Sequence, residues 1–227
     1  PVSTRALRRK HMEDQVTDTY ATFKARYGAP RIARELKELG MPCSVNYVAD
    51  ILNKQGLKAR NGKAFNYGSH ALTMHNVSGN LLWRKFGASR PNSRAIVGWS
   101  LNDSMTEQLV TDALSMAFTR RDIEPGLIVH SDRGVQYRSQ KYIDYMARKG
   151  CVPSMSRKGN CWDNAPMESF FSRLKVELIY AEQYDSISEA RSGIFEYIEV
   201  FYNRLRRHSA NGYVSPAEFE RIAAVAA

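Results

Sequence analysis

The sequence is poor in cysteine and contains no long hydrophobic run. Its three cysteines, Cys43, Cys151 and Cys161, form no CxxC pair, which argues against a disulfide framework and a cysteine-rich zinc site. No apolar stretch approaches the ~20 residues that a membrane-spanning helix requires. The basic residues near the N-terminus are not followed by the apolar segment of a secretory signal. These absences predict a cytoplasmic globular protein without a membrane span.

Acidic residues are absent between Asp50 and Asp103, and the chain as a whole carries a formal net charge of +10. Residues 1–100 contain 17 Lys and Arg against 6 Asp and Glu, whereas residues 101–227 contain 16 against 17. This asymmetry predicts an anionic partner for the first part of the chain and a separate, acid-containing module behind it. A solvated basic surface without a partner is the alternative.

Apolar periodicity predicts three helices in residues 1–62, over positions 12–27, 30–39 and 44–55. Gly40 supplies the turn after the second helix, and Ser44 is suited to cap the third. Two short helices joined by a tight turn, after a supporting helix, are typical of a helix-turn-helix domain, with the third helix as the recognition helix. An ordinary three-helix bundle is the alternative.

The predicted recognition helix has an apolar face formed by Val45, Val48, Ile51 and Leu52. The candidate DNA contacts lie on the polar faces of the second and third helices: Arg31, Arg34, Asn46, Tyr47, Asn53 and Lys54. Residues 63–92 break every periodicity and are rich in Lys, Arg, Asn and Gly, so they are predicted to form a basic linker.

Residues 93–227 alternate between strand-like and helix-like patterns, which predicts an α/β domain. The run from Gly126 to His130 is continuously apolar and is expected to be a strand buried on both faces. The other predicted elements are a β-rich run at 95–99, helices at 104–121, 139–149 and 165–180, and a short segment at 152–155.

Two acids and a lysine form the candidate catalytic site of this second module. Asp132 follows a predicted strand, where functional groups gather in open α/β sheets. Glu168 falls in the first turn of the last predicted helix, where helix capping is the alternative role. Lys175 lies two turns further along the same face and could hold a phosphate. Two carboxylates from different elements are the usual way to hold Mg²⁺ against a phosphodiester.

Four segments, YGAPRIARELKELG, HSDRGVQY, SMSRKGNCWDNAPMESFFSRLKVEL and YNRLRRHSANGYVSPAEFE, resemble the second-frame product of two-reading-frame bacterial insertion-sequence transposases, relatives of retroviral integrases. The resemblance extends over most of residues 5–220. Thirty-five residues separate Asp132 from Glu168, the spacing that this family shows between its second and third catalytic carboxylates, and Lys175 matches the family's downstream lysine. The family often makes its second frame as a fusion, which would account for a chain that begins with Pro1.

The resemblance implies an RNase H-like core that uses two Mg²⁺ or Mn²⁺ ions for DNA strand cleavage and transfer. It implies that Asp132 and Glu168 are metal ligands and that Lys175 contacts the terminal DNA. Double-stranded DNA of the element ends and of the target would be the partner, bound by a homo-oligomer without a membrane in the bacterial cytoplasm, at the nucleoid. His130 belongs to the same motif, but a lone histidine is more often a hydrogen-bonded structural residue.

The first catalytic Asp of the resembled family is absent. In the family it lies between an Arg-Pro-Asn segment and a Ser-Arg-x-Ile-Val-Gly-Trp motif, yet here Asn92 runs directly into Ser93. Asp103 would be a poor substitute, and Asp163 is expected to be a helix cap. A strand, a hairpin and most of another strand, roughly 20–25 residues, are missing, so the core is expected to have an incomplete sheet.

Three interpretations of this gap are open. The chain can represent an intact transposase with a segment closed up, a catalytically dead transposase with a genuine internal deletion, or a remnant that acts only as a DNA-binding protein. A genuine deletion would expose strand edges and apolar faces.

Overall fold

The computed structural model describes residues 3–60, 78–82 and 95–225, and the chain divides into two compact units, residues 1–63 and 64–227. Of the predicted linker at 63–92, only residues 78–82 lie within the described part. None of the described helices is both long enough and apolar enough to cross a membrane.

The first unit is built from three helices: α1 (Thr4–Thr22), α2 (Ala29–Glu38) and α3 (Val45–Lys54). One apolar side of each helix faces the other two, which removes these side chains from water. The most deeply buried side chains of the three helices are at most 2% exposed: Val16, Ile32, Leu36, Val48 and Ile51.

The ends of α1 differ from the prediction. The helix begins at Thr4 because the hydroxyl of Ser3 caps its first turn, well before the expected start. It ends at Thr22 because Lys24 and Ala25 adopt left-handed backbone conformations, with φ of 50° and 59°. The predicted extension of this helix to Tyr27 is therefore wrong.

The turn between α2 and α3 follows the prediction. Gly40 has a φ of 78°, which favours glycine, and the Ser44 hydroxyl accepts a hydrogen bond from the Tyr47 N–H at 3.1 Å. Val48 is fully buried, but Val45 is 42% exposed. Its predicted inward position is wrong because it is the first residue of the helix, where the apolar face has not yet reached the core.

The second unit mixes helices with two short strands. In chain order these are α4 (Glu107–Arg120), β1 (Ile128–Ser131), α5 (Gln140–Arg148), β2 (Val152–Met155), α6 (Ala165–Leu174), α7 (Ile187–Phe195) and α8 (Pro216–Val225). Helices α6 and α7 continue into π-helical turns at Lys175–Ile179 and Glu196–Leu205. Short 3₁₀ helices occupy Val135–Arg138, Cys161–Asn164 and Ser209–Asn211.

The strands β1 and β2 pair in parallel, with Ile128 opposite Val152 and Ser131 opposite Met155. Parallel strands need a crossover connection, which α5 supplies. Residues from the 78–82 segment lie along β2, because Met155 donates its N–H to the Gly79 carbonyl at 3.2 Å. Within the described residues the sheet has two strands, so the expected incomplete sheet is confirmed.

The apolar run that contains β1 is more exposed than predicted. Leu127 is 44% exposed and Ile128 is 41% exposed, so the expected burial on both faces is wrong. A strand is buried on both faces only when neighbouring strands and covering helices surround it. Among the described residues β1 has a single strand neighbour, which leaves its apolar side chains in contact with water.

The predicted β-rich run at 95–99 is not a strand. Ile96 instead forms two hydrogen bonds of 2.9 Å with the side-chain amide of Asn203. Gly98 lies so close to the backbone of α4, at Ala113 and Ala117, that no side chain would fit there. A β-strand requires a backbone partner, and no described strand pairs with this segment.

Two apolar clusters hold the second unit together. One joins α4 to α5, where Tyr142, Met146 and Cys151 are buried against Leu114 and Phe118. The other packs α6 against the π-helical turn that follows α7. There the buried rings of Phe170 and Tyr202 lie edge to face with their centroids 5.0 Å apart, and Tyr197 lies beside Tyr202.

Candidate catalytic site and DNA-binding surface

Asp132 lies immediately after β1, as the sequence predicts. Its Oδ1 accepts a hydrogen bond of 2.7 Å from the Gly134 N–H, which fixes the exposed carboxylate over the following turn. A Cβ at Gly134 would lie only 2.9 Å from this oxygen and from the Gln136 amide. A side chain at residue 134 would therefore displace the Asp132 carboxylate or the Gln136 amide.

Glu168 stands in the first turn of α6 and faces the same region as Asp132. Burial and the nearby negative charge of Asp132 raise the pKa of Glu168 above its usual value. Asn164, the N-cap residue of α6, forms no side-chain capping bond, and within the described residues Glu168 forms no hydrogen bond. The capping alternative for Glu168 is therefore not realised.

His130 connects the strand that carries Asp132 to the chain that leads into α6. Its Nε2 lies 3.0 Å from the Asp163 carbonyl oxygen, so this nitrogen donates, and Nδ1 then accepts from the Ser154 hydroxyl at 2.8 Å. Both ring nitrogens are occupied, and burial lowers the pKa of the imidazole. His130 is thus a hydrogen-bonded structural residue, as expected of a lone histidine.

Asp163 does not cap α6, and that expectation is wrong. Its carboxylate is buried and binds both Nε and Nη2 of Arg157 at 2.8 Å, in a bidentate ion pair. It also accepts hydrogen bonds from the Arg157 N–H and from the Asn80 amide. These four bonds satisfy the carboxylate inside the protein, so Asp163 is not available as a metal ligand.

No third acid joins Asp132 and Glu168. In the described part of the chain, no group of three or more His, Cys, Asp or Glu residues could hold a metal ion. Asp103, the other candidate substitute, lies exposed in a bend before α4. The place of the family's missing Asp, between Asn92 and Ser93, falls outside the described residues.

Lys175 follows directly on α6, as the first residue of the π-helical turn, and is half-buried. Two residues later, Glu177 is almost fully buried and pairs with Arg206 at 2.8 Å, while Tyr197 donates its hydroxyl to the same carboxylate at 2.9 Å. This buried pair anchors the turn that carries Lys175. A π-helical turn often marks a functional site.

The candidate DNA contacts divide between α2 and α3. On α3, Asn46, Asn53 and Lys54 are exposed and Tyr47 is half-buried. The Lys54 ammonium lies 2.6 Å from the Asp50 carboxylate, so an internal acid already offsets its charge.

The two α2 arginines are half-buried rather than fully exposed. The Arg31 guanidinium lies over the Tyr27 ring, 5.6 Å from its centroid, and Arg34 is 3.5 Å from Glu38. Local contacts thus hold both guanidinium groups in place on the surface of α2.

Sequence reasoning missed the arginines at the start of α1. Arg5, Arg8 and Arg9 line a groove together with Tyr47 of α3. The apolar spacing predicts that the first helix begins near Met12, so these arginines precede the predicted helix. The sequence does carry a signal for this earlier start. Ser3 can cap a helix, and residues 5, 8, 9 and 12 have the spacing of one helix face.

Comparison with known proteins agrees with this architecture. An HTH-like domain matches residues 6–65, and two integrase core domain models match residues 91–161 and 168–222. The transposase InsF for insertion sequence IS3A of Escherichia coli (strain K12) is 42% identical to this chain over 96% of the chain and 85% of the relative. The chain belongs to the IS3 family of insertion-sequence transposases. The expected integrase core, preceded by a helix-turn-helix domain, is confirmed.

A second relative, the transposase of insertion sequence element IS904 of Lactococcus lactis subsp. lactis (strain IL1403), is 35% identical over 96% of this chain and 97% of the relative. The InsF alignment extends over 248 residues, whereas this chain has 227. The aligned part of InsF therefore carries residues that have no counterpart here.

Proposed function

We propose that this transposase binds the DNA ends of its element through residues 1–62 and that its integrase core holds a divalent cation between Asp132 and Glu168. The observation that carries the proposal is the juxtaposition of these two carboxylates, one at the end of β1 and the other in the first turn of α6. The substrate is double-stranded DNA, encountered at the bacterial nucleoid.

The donor set fits a hard cation. Burial and, after it, the negative charge of nearby Asp132 raise the pKa of Glu168, and a bound cation would relieve the repulsion between the two carboxylates. Carboxylate oxygens are the ligands that Mg²⁺ and Mn²⁺ favour. When bound, such a cation supplies charge stabilisation at a phosphodiester and activates the attacking oxygen.

The residues around the pair have positioning roles in this proposal. The Gly134 N–H orients the Asp132 carboxylate, and His130 links β1 to the chain before α6, which keeps the two acids at a constant separation. Lys175 would neutralise a phosphate of the terminal DNA and so orient the strand to be cut.

The helix-turn-helix domain would deliver the DNA. Phosphate contacts from α2 position the duplex, while polar side chains of α3 read base edges in the major groove. The contacts that we propose are Arg31, Arg34, Asn46, Tyr47, Asn53 and Lys54. Because an element has two ends to be joined, we expect the chain to act as a homo-oligomer on DNA.

A second function, DNA binding without strand transfer, is favoured by one observation. Asp132 and Glu168 have no third acidic partner among the described residues, and the sequence contains no acid from residue 51 to residue 102. Two carboxylates can hold one cation, but the two-metal chemistry of strand transfer uses a larger ligand set. We expect this chain as it stands to perform this second function.

Metal binding and DNA binding can be tested separately on the full chain. Mn²⁺ binding, followed by electron paramagnetic resonance, should weaken at least tenfold in Asp132→Asn and in Glu168→Gln. The matched control is Asp122→Asn, an exposed acid with no role in the site, which should bind Mn²⁺ like the parent. A parent chain that binds no Mn²⁺, or an Asp132→Asn variant that binds it equally well, would contradict the metal site.

A further inference from the structure

The groove between α1 and α3 lies beside the recognition helix. It has a cavity volume of about 450 Å³ and is open to solvent. One wall is the first half of α1 and the other is the turn before α3 with the start of that helix. The lining residues are Arg5, Arg8, Arg9, Met12, Pro42, Cys43, Ser44, Tyr47 and Asp50.

The charge of this groove is strongly positive. Three arginines line it, against a single carboxylate, Asp50, which lies 2.6 Å from the Lys54 ammonium. Arg9 is 2.9 Å from Glu13 on its own helix. Within the described residues no ion pair engages Arg5 or Arg8, and both side chains are exposed.

Such an arrangement favours an anionic partner. Like charges three and four residues apart on a helix repel one another and weaken the helix slightly. The first turn of α3, which carries no acid, faces the same groove and adds the positive end of its dipole. Arginines and a helix N-terminus are together the groups that bind phosphate oxygens.

The position of the groove beside α3 indicates which kind of anion binds there. Tyr47 lines the groove and also belongs to the face of α3 that is proposed to read DNA. A duplex whose major groove receives α3 has its phosphate backbone on either side of that helix. The open groove is therefore suited to a sugar-phosphate strand of the same duplex.

We propose that Arg5 and Arg8 bind backbone phosphates of the DNA and thereby hold the duplex against α3, without reading the sequence. This inference rests on the proposed DNA binding by residues 1–62. It adds a second phosphate contact surface, on α1, to that of α2.

The test measures how the affinity of the full chain for a short random-sequence duplex depends on salt. Each lost phosphate contact should reduce the slope of log K against log salt by about 0.9. Arg8→Gln should show a reduction of that size, and Arg5→Gln/Arg8→Gln about twice as much. The matched control is Lys10→Gln, an exposed cation on the same helix outside the groove, which should keep the parental slope.

Selection from a randomised duplex library supplies the second readout. Phosphate contacts carry no sequence information, so the parent and the double arginine variant should select the same sequences. A changed preference would show base contacts and overturn the proposal.

Equal slopes for Arg8→Gln and Lys10→Gln would also overturn it, while leaving DNA binding itself intact. A parent chain that binds no duplex at low salt would instead refute the proposed DNA binding on which the inference rests. Circular dichroism should show unchanged melting of the variants, because all three side chains are exposed.

Discussion

Asn203 occupies the position of a neighbouring strand beside Ile96. Its side-chain amide donates to the Ile96 carbonyl and accepts from the Ile96 N–H, each at 2.9 Å, as a strand backbone would. Within the segment at 95–99, which is rich in β-branched and aromatic residues, Ile96 thus satisfies its backbone N–H and carbonyl through a side chain of the π-helical turn that follows α7. One side-chain amide thus makes the two hydrogen bonds that the backbone of a neighbouring strand would otherwise make.

Removing this amide should destabilise the second unit. In Asn203→Ala the N–H and carbonyl of Ile96 lose their partners while remaining half-buried, at a cost of about 1–2 kcal/mol in the free energy of unfolding. Urea unfolding, followed by Trp fluorescence, measures the change. The control Asn102→Ala alters an exposed amide with a local bond only, and a loss there equal to that of Asn203→Ala would contradict the special role of Asn203.

The helix-turn-helix unit was largely predictable because its signals are local. Apolar spacing, the Ser44 cap and the left-handed Gly40 each act within a few residues, and α2 and α3 lie where these signals place them. The start of α1 was missed because its first turns carry arginines in place of apolar residues. Charged residues at helical spacing predict a helix as well as apolar residues do only where a capping residue, such as Ser3, marks the start of the helix.

The core was less predictable because burial depends on distant neighbours. The strand at Ile128 has the expected position, yet it is exposed because β2 is its single strand neighbour among the described residues. The same reason explains why residues 95–99 do not form a strand. The resemblance predicted Asp132 and Glu168 as partners, and the structure places them close enough to interact electrostatically, but the ion pair of Asp163 with Arg157 could not be predicted, because it arises from the path of the loop.

The buried pair of Glu177 and Arg206 should be essential to the C-terminal helices. Both side chains are at most 4% exposed, so Glu177→Ala leaves an uncompensated buried guanidinium and should reduce the free energy of unfolding by about 3–5 kcal/mol. Tyr197 would also lose the acceptor of its hydroxyl. Chemical denaturation of the full chain measures the loss.

A double variant distinguishes a charge effect from a packing effect. Glu177→Leu/Arg206→Met removes both charges and keeps apolar volume, so it should be more stable than Glu177→Ala. A double variant that is the least stable of the set would show that the pair itself, rather than relief of an orphan charge, stabilises this region.

Substitutions on α2 should change the affinity for DNA, whereas substitutions on α3 should change the preferred DNA sequence. Arg31→Ala should weaken binding to all duplexes alike, by several-fold at low salt, because a phosphate contact is independent of sequence. Asn46→Ala should change the preferred sequence, since an amide on the recognition helix can read a base edge. Binding titrations on a panel of duplexes decide the matter, and identical profiles for the two variants would refute this division of roles.

The chain as it stands should not join DNA strands. Asp132 and Glu168 are two acids where the resembled enzymes use three, so we expect no strand transfer with Mg²⁺ or Mn²⁺. The assay incubates end-labelled duplex of the element terminus with the purified chain and target plasmid. Metal-dependent nicking that disappears in Asp132→Asn would prove this expectation wrong and direct the search for another ligand to Asp103.

Reinsertion of the missing strand and hairpin between Asn92 and Ser93 should restore metal-dependent cleavage. Asp132, Glu168 and Lys175 keep the separations that the family shows, so the inserted Asp would complete the ligand set. In the restored chain Lys175→Ala should reduce DNA-end binding more than Mn²⁺ binding, as expected of a cation that contacts phosphate.

The restored chain should also be more stable than the present one. The inserted strands would cover Leu127 and Ile128, each now more than 40% exposed, and burial of two such side chains is worth roughly 1–2 kcal/mol. Thermal unfolding of the two chains, measured side by side, tests this, with an equally long Gly/Ser insertion at the same place as the control. A restored chain that melts no higher than the control and remains inactive with all three acids present would show that damage elsewhere disables this transposase.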